Sequence, residues 1–242
     1  MRFLNTILDI VFPVKCISCG EIGIDLCLKC LKDAPGAERE SAKWIFPLYD
    51  YRHPIIKKSL WLLKYKDKKR LAKIFAEIIY DKILEELSEL SVLENFIDPI
   101  LIPIPLSPKR YRERGYNQAE LICKEIVKTN QARNHLSPPS APLSLIRRGA
   151  GDEVFSLATN ILIKIKETEH QARIRNRNIR LKNVIDSFAI KDNKQDKNIN
   201  FIKNRNIILI DDITTTGATL NEAKKVLKNS GARKIIAFTV AH

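Results

Sequence analysis

Nowhere in the 242 residues does an apolar run approach the about 18 needed to span a bilayer. The N-terminal stretch MRFLNTILDIVFPVKC is apolar but short, Asn5 and Asp9 interrupt it, and no small-residue cleavage site follows, which argues against export and for a cytoplasmic protein. Two phosphate-binding signatures are absent as well: the Lys-containing glycine loop of nucleotide hydrolases and the GxGxxG dinucleotide fingerprint. No internal repeat is visible, which sets aside solenoids and propellers. Acidic side chains are the scarcer charge, 28 Asp and Glu against 42 Lys and Arg, leaving a net charge of +14. Such a field favours nucleotides, nucleic acid or an anionic membrane without choosing among them.

What is present begins with ordinary material for a fold. Hydrophobic residues make up 45% of the chain, and its length suffices for one main domain and a small appendage. The most informative stretch is ILIDDITTTGATL, Ile208 to Leu220. Ile207 to Ile210 is a continuous aliphatic run, as expected of a strand buried on both faces. Asp211 and Asp212 follow at its carboxyl end, the edge where open α/β sheets bind ligands. Thr214, Thr215, Thr216 and Gly217 form a tight loop, Ala218 to Asn229 has helical spacing, and Lys234 to Val240 reads as the next strand. Unpaired N–H groups at a helix start, approached through small residues and hydroxyls, suit an anion. The carboxylates suit a vicinal diol, directly or through a water on a divalent cation. A phosphate cup beside diol acceptors describes a ribose 5-phosphate; the alternative is an ordinary βα turn with an acidic pair capping the helix.

Cys16, Cys19, Cys27 and Cys30 make two CxxC pairs separated by seven residues. Four soft thiolates at that spacing suit a closed tetrahedral Zn²⁺ site of structural type. Disulfides are the alternative; the absence of an export signal and the unpaired Cys123 weigh against them. Cys123 itself sits in an apolar-periodic stretch and reads as a core residue. At the N-terminus, Phe3, Leu4, Ile7, Leu8 and Val11 share one helical face, for packing on the metal module or for a membrane surface.

Between these motifs, WIFPLYDY reads as extended, Lys57 to Leu63 as a short helix, and Lys69 to Leu90 as a clear amphipathic helix. His53 precedes a proline in a turn and reads as a surface residue. PILIPIP is a short strand, followed by the basic turn SPKRYRERGYNQ and a helix from Ala119 to Lys128. Lys109, Arg110, Arg112 and Arg114 in that turn suit a leaving pyrophosphate or a nucleic-acid backbone; a solvated basic turn is the alternative. Residues 131–160 hold three prolines and no clean period, and read as an inserted loop. Ile161 to Ile165 alternates as a strand, Arg173 to Lys182 is basic, and Lys191 to Asn206 reads as a flexible connector.

The Asp-Asp-threonine run resembles the signature of type I phosphoribosyltransferases, which bind phosphoribosyl pyrophosphate (PRPP). The whole chain resembles the ComF family of competence-associated proteins. FPVKCISCG and LCLKC are similar to that family's opening, LLKYKDKKRLA to its element after the knuckle, and IPIPLSPKRYRERGYNQAE to its proline strand and RERGxNQ loop. KIKETEHQ is similar to its RxRxTxxQ stretch, with Lys164 and Lys166 in place of arginines, and RLKNVIDSF to its RxxNVxxAF, placing Arg180, Asn183 and Phe188. The segment near 131–160 departs from the pattern by lengthening a connection.

The resemblance implies an α/β fold, a mostly parallel sheet flanked by helices over about residues 46–242, with a small four-cysteine zinc module over 1–45. It also implies that Asp211 and Asp212 meet the ribose hydroxyls, and that Thr214, Thr215, Thr216, Gly217 and Thr219 hold the 5-phosphate. Zn²⁺ in the module and Mg²⁺ with PRPP are the implied metals, and competence-machinery proteins and single-stranded DNA the implied partners. Two functions remain open: a phosphoribosyltransferase whose acceptor and catalytic base the sequence does not name, or a non-catalytic, PRPP-responsive adaptor for DNA uptake. For the adaptor, Tyr111 and Tyr116 among the cations are candidates for base stacking.

Overall fold

The computed structural model describes residues 13–38, 42–136, 155–166, 184–191 and 197–242. The N-terminal stretch expected to be helical, the basic run 173–182, Arg180, Asn183 and most of 131–160 lie outside them.

After the cysteine region comes a one-turn helix, α1 (Leu28–Lys32), then β1 (Ile45–Tyr49), α2 (Pro54–Tyr65) and α3 (Arg70–Glu94). There follow β2 (Ile100–Pro103), α4 (Pro108–Arg114) and α5 (Gln118–Leu136), then the short β3 (Ser156–Leu157), β4 (Leu162–Lys164) and β5 (Phe188–Ile190). The chain closes through α6 (Lys197–Ile202), β6 (Asn206–Ile213), α7 (Ala218–Asn229) and β7 (Lys234–Ala241). Five strands form one sheet in the order β1-β7-β6-β2-β3, every pairing parallel. The pair β4–β5 is a separate antiparallel hairpin.

Strand parity sorts the core into two layers. Leu101, Ile208, Ile210, Ile236 and Phe238 face α2, α3 and α5. Ile100, Ile102, Ile207, Leu209, Ile235 and Ala237 face α7, α6 and the hairpin. This is why β6 reads as an unbroken aliphatic run: both faces are covered. The cysteine module joins the first layer, with Leu26 and Leu31 buried in the same cluster as Leu60, Leu63 and Phe75.

Three elements differ from the sequence expectation. The basic turn is a helix: Ser107 caps α4 by accepting from the Arg110 N–H at 3.4 Å, Pro108 sits in its first turn, and Gly115 ends it at φ 78°. Helix α5 continues past Lys128 to Leu136, and β3 pairs with β2, so structure enters the 131–160 segment from both ends. The connector before β6 contains α6. His53 is half-buried ahead of α2, not fully at the surface. Cys123 is fully buried, and burial drives its thiol far above the usual range, so it is a core residue.

Candidate functional site

The strand order reverses between β6 and β2: from β2 the chain moves out to β3, and from β6 it moves the other way to β7. A crevice opens outside the carboxyl ends of strands at such a switch point. Here it is a cleft of about 210 Å³, with Ile104, Pro105 and Leu106 after β2 on one side and Asp211, Asp212 and Ile213 ending β6 on the other.

The two carboxylates look toward different layers. Asp212 shares the parity of Ile208 and Ile210 and faces α2, where Lys64 Nζ lies 3.0 Å from its Oδ1. That pair is largely buried, with side-chain exposures of 15% and 12%. Asp211 shares the parity of Ile207 and Leu209, on the side of the hairpin that carries Lys164. Its Oδ1 accepts from the Asp212 N–H at 2.8 Å. Burial, and after it the negative charge of Asp212, pushes the Asp211 carboxyl up to about 7, against the pull of that N–H and of Lys64 and Lys164. One carboxylate is thus paired with a lysine, while the carboxyl of its neighbour is raised.

Of the loop that follows, Thr215 and Thr219 line the cleft. Thr214 is buried and its N–H donates to the Ala241 carbonyl at 2.9 Å, tying the loop to the end of β7. Thr216 Oγ1 accepts from the Ala218 N–H at 3.4 Å. Gly217 precedes α7 at φ 70°, and a Cβ there would sit 3.3 Å from both Ile45 Cδ1 and Asn221 Nδ2. The glycine is needed for conformation and for space.

Of the four basic candidates on α4, Arg110 and Arg114 line the cleft, one helical turn apart. Lys109 and Arg112 are exposed and lie outside its lining. Asn117 fastens the wall by donating to the Ile104 carbonyl at 2.9 Å and accepting from the Ala119 N–H at 3.0 Å. Tyr116 is buried, its hydroxyl donates to the Leu63 carbonyl, and Lys69 lies over its ring at 4.7 Å, so it packs the fold and offers no stacking face. Tyr111 is exposed. Gln118 at the start of α5 also lines the cleft, as do Trp61, Lys64 and Tyr65 of α2, none of which belongs to a motif-borne site candidate. Their signal was the i, i+3, i+4 spacing of Trp61, Lys64 and Tyr65, a polar face opposite buried Ile56, Leu60 and Leu63.

The Sγ atoms of Cys16, Cys19, Cys27 and Cys30 all lie within 4.8 Å of one another, and none is in a disulfide. A tetrahedral ZnS₄ centre with Zn–S near 2.3 Å needs sulfurs about 3.8 Å apart; Cys19 and Cys27 stand at 3.6 Å. The cluster could hold a zinc ion. For Cys16, burial raises the thiol, but N–H groups from Cys27, Cys19 and Ser18 outweigh it and bring it to about 6. For Cys27, the Cys30 N–H lowers it, and burial with the neighbouring thiols overrides this, pushing it up to about 12.

Among the described residues no helix is long and apolar enough to cross a membrane. Residues 160–242 match the phosphoribosyl transferase domain family. The chain is 29% identical over 170 residues to competence protein ComFC of Streptococcus pneumoniae, covering 70% of this chain and 56% of that protein. It is 29% identical over 143 residues to competence protein F of Haemophilus influenzae, covering 58% and 49%. It is 32% identical over 142 residues to competence protein ComFC of Bacillus subtilis, covering 58% and 43%. The chain therefore spans about half the length of these curated relatives. The matched domain, the mostly parallel sheet and the similarity to these competence proteins support assignment of the chain to the ComF family.

Proposed function

We propose that the cleft binds PRPP and that the chain is a ComF-type phosphoribosyltransferase-domain protein acting on the cytosolic side of DNA uptake. One observation carries this reading: the acidic pair of β6, the hydroxyl-bearing Thr215 of the following loop and Thr219 of the first turn of α7, and the cations Lys64, Arg110, Arg114 and Lys164 line a single cleft. Asp211 and Asp212 accept hydrogen bonds from the ribose diol. Thr215 and Thr219, with Thr214, Thr216 and Gly217 shaping the turn at the start of α7, receive the 5-phosphate. Arg110 and Arg114 meet the diphosphate, and Lys109 and Arg112 add to the field outside. Asp211 and Asp212 would hold Mg²⁺, which would supply charge neutralisation at the diphosphate. Binding exchanges Lys64 for the diol at Asp212 and frees that ammonium for the leaving group. Zn²⁺ at the four cysteines is structural.

Thermal melting tests the reading. A specific ligand at 100 times its Kd stabilises by about 2.7 kcal/mol, so PRPP with Mg²⁺ should raise Tm clearly. Asp211→Asn with Asp212→Asn should abolish the rise; an unchanged rise would refute the assignment. Turnover is read by mass spectrometry after incubation with PRPP and a nucleobase panel.

A second reading, a non-catalytic PRPP-responsive adaptor that binds single-stranded DNA, is favoured by the competence proteins among the relatives and by the exposed Lys109, Tyr111 and Arg112 on the outer side of α4. It requires binding that weakens steeply with salt. Tight single-strand binding insensitive to salt contradicts it.

A further inference from the structure

At the end of the sheet opposite the cleft, β6 and β7 start at Asn206 and Lys234, and α3 ends beside them, Glu94 pairing with Lys234. Val92 and Leu93 in the last turn of α3 are the two most exposed large hydrophobic side chains among the described residues, at 77% and 78%. The core does not need them, because α3 turns Ile79, Ile83 and Leu87 inward. Exposed aliphatics are ordinary one at a time, but this adjacent pair lies between charges of opposite sign. Before it on the same face stand the exposed Glu89 and Glu85, about 6 Å and about 12 Å back along the axis from Leu93. Lys82 Nζ offsets part of this charge, at 2.8 Å from Glu85. Beyond the pair, the exposed Arg233 donates to the carbonyls of Asn95 and Glu94 at 3.2 and 3.5 Å. The Arg233 N–H donates to the Arg205 carbonyl at 2.9 Å, and the Asn204 N–H to the Gly231 carbonyl at 2.8 Å, which sets the exposed Lys203 in the same cluster. Lys228 joins it by donating to the Arg233 carbonyl. Asp98, whose carbonyl accepts from Arg205 at 3.3 Å, reduces the charge of these four cations without cancelling it.

We propose that this end of α3 is the contact through which two copies of the chain associate, the two helices antiparallel about a two-fold axis through Val92 and Leu93. The order along the surface is acid, apolar, base. A two-fold axis at the apolar element brings Glu85 and Glu89 of each copy against Arg233 and Lys203 of the other, so one attraction is made twice. That self-complementarity points to a second copy over other occupants. A nucleic-acid strand would carry phosphates past Glu85 and Glu89, and its bases would meet aliphatic groups with no ring to stack on. An anionic membrane would oppose the same two carboxylates. A peptide of one charge sign would satisfy one flank and be repelled by the other. Arg233 is already held on two carbonyls, so little side-chain freedom is lost when a carboxylate arrives. Val92 and Leu93 offer little apolar area, which places the association at the weak, salt-sensitive end of protein interfaces. Asp211 and Asp212 lie toward the other end of β6, so both clefts face away from the contact and stay open. The pairing is thus independent of what the cleft binds.

Sedimentation velocity on the full chain, over a concentration series, tests the contact. A concentration-dependent dimer is expected at about 0.05 M salt, weakening about tenfold or more by about 0.5 M as the flanking charges are screened. Leu93→Glu should weaken association by at least about tenfold while leaving Tm unchanged, since the side chain is exposed in the single chain. Glu85→Lys with Glu89→Lys should have the same effect on association, as should Lys203→Glu with Arg233→Glu. Mixing these two charge-reversed variants should restore a heterodimer, because every flank then faces the opposite sign again. Arg233→Glu also removes hydrogen bonds to the end of α3; if that variant melts early, Lys203→Glu with Lys228→Glu takes its place. A wild-type chain that stays monomeric across the series, whether or not a thymine strand or anionic vesicles bind it, overturns the proposal. So does a dimer indifferent to Leu93→Glu, or a mixture of the charge-reversed variants that remains monomeric.

Discussion

At the level of single residues, the site is governed by two adjacent carboxylates with different surroundings. Asp212 pairs with Lys64, 3.0 Å away. Removing the lysine strands a largely buried carboxylate, so Lys64→Met should cost about 1–3 kcal/mol in urea denaturation, and adding Asp212→Asn should recover much of it. Asp211 behaves oppositely. Its folded-state value, about 7, lies above its ordinary 3.8. Between about pH 4 and about pH 7 the native chain retains a proton that the unfolded chain has released. The Asp211 contribution is therefore full below about pH 4 and falls as pH rises through about 7. Urea midpoints of wild type and Asp211→Asn, compared in magnesium-free buffer, should diverge in favour of the variant between about pH 5 and about pH 8. Parallel curves would show that Asp211 titrates normally.

Among elements, the junction of β6 and α7 fixes where those carboxylates and hydroxyls stand. Gly217 holds the turn at φ 70° against Ile45 Cδ1 and Asn221 Nδ2. Gly217→Ala should cost about 1–2 kcal/mol for the left-handed conformation alone, read as a lower Tm, with weaker PRPP stabilisation as Thr215 and Thr219 shift. This junction was legible in the sequence because each signal was local: aliphatic run, acidic pair, small residues, glycine, amphipathic period. Helix α4 was less so. Ser107 and Pro108 are start signals and Gly115 a stop, but four cations in seven residues read as a basic turn suited to pyrophosphate or a nucleic-acid backbone, and only a neighbouring wall sorts Arg110 and Arg114 from Lys109 and Arg112. The end of α5 was hidden for another reason. Asn130 and Arg133 there make polar contacts with Tyr80 and Asp81 of α3, which leaves no apolar period to detect. Lys64 was hidden because its partner lies in a strand far along the sequence, and Lys164 likewise meets Asp211 only once the hairpin docks.

For the molecule as a whole, α2 joins the cysteine module to the cleft. Its inner face, Leu60 and Leu63, packs in the same core as Leu26 and Leu31 of the module, while its outer face turns Trp61, Lys64 and Tyr65 to the cleft. Two polar ties reinforce the contact: Lys58 Nζ donates to the Ile17 carbonyl at 3.0 Å, and Lys68 Nζ pairs with Asp25 at 3.2 Å. The module is too small to bury much surface by itself, so a zinc ion held by the four cysteines would supply folding energy. Loss of zinc should consequently be felt beyond the cysteines. About one zinc per chain is expected by elemental analysis, and Cys16→Ser with Cys19→Ser should release it. Because Leu26 and Leu31 then lose their fixed backbone, α2 loses its packing partner, Tm falls, and PRPP-dependent stabilisation shrinks with it. Adding a strong zinc chelator to the wild-type chain should reproduce both changes, and restoring zinc should reverse them. If the chelated chain sheds its zinc yet melts as before and responds to PRPP undiminished, the module is an independent appendage and α2 does not couple it to the cleft.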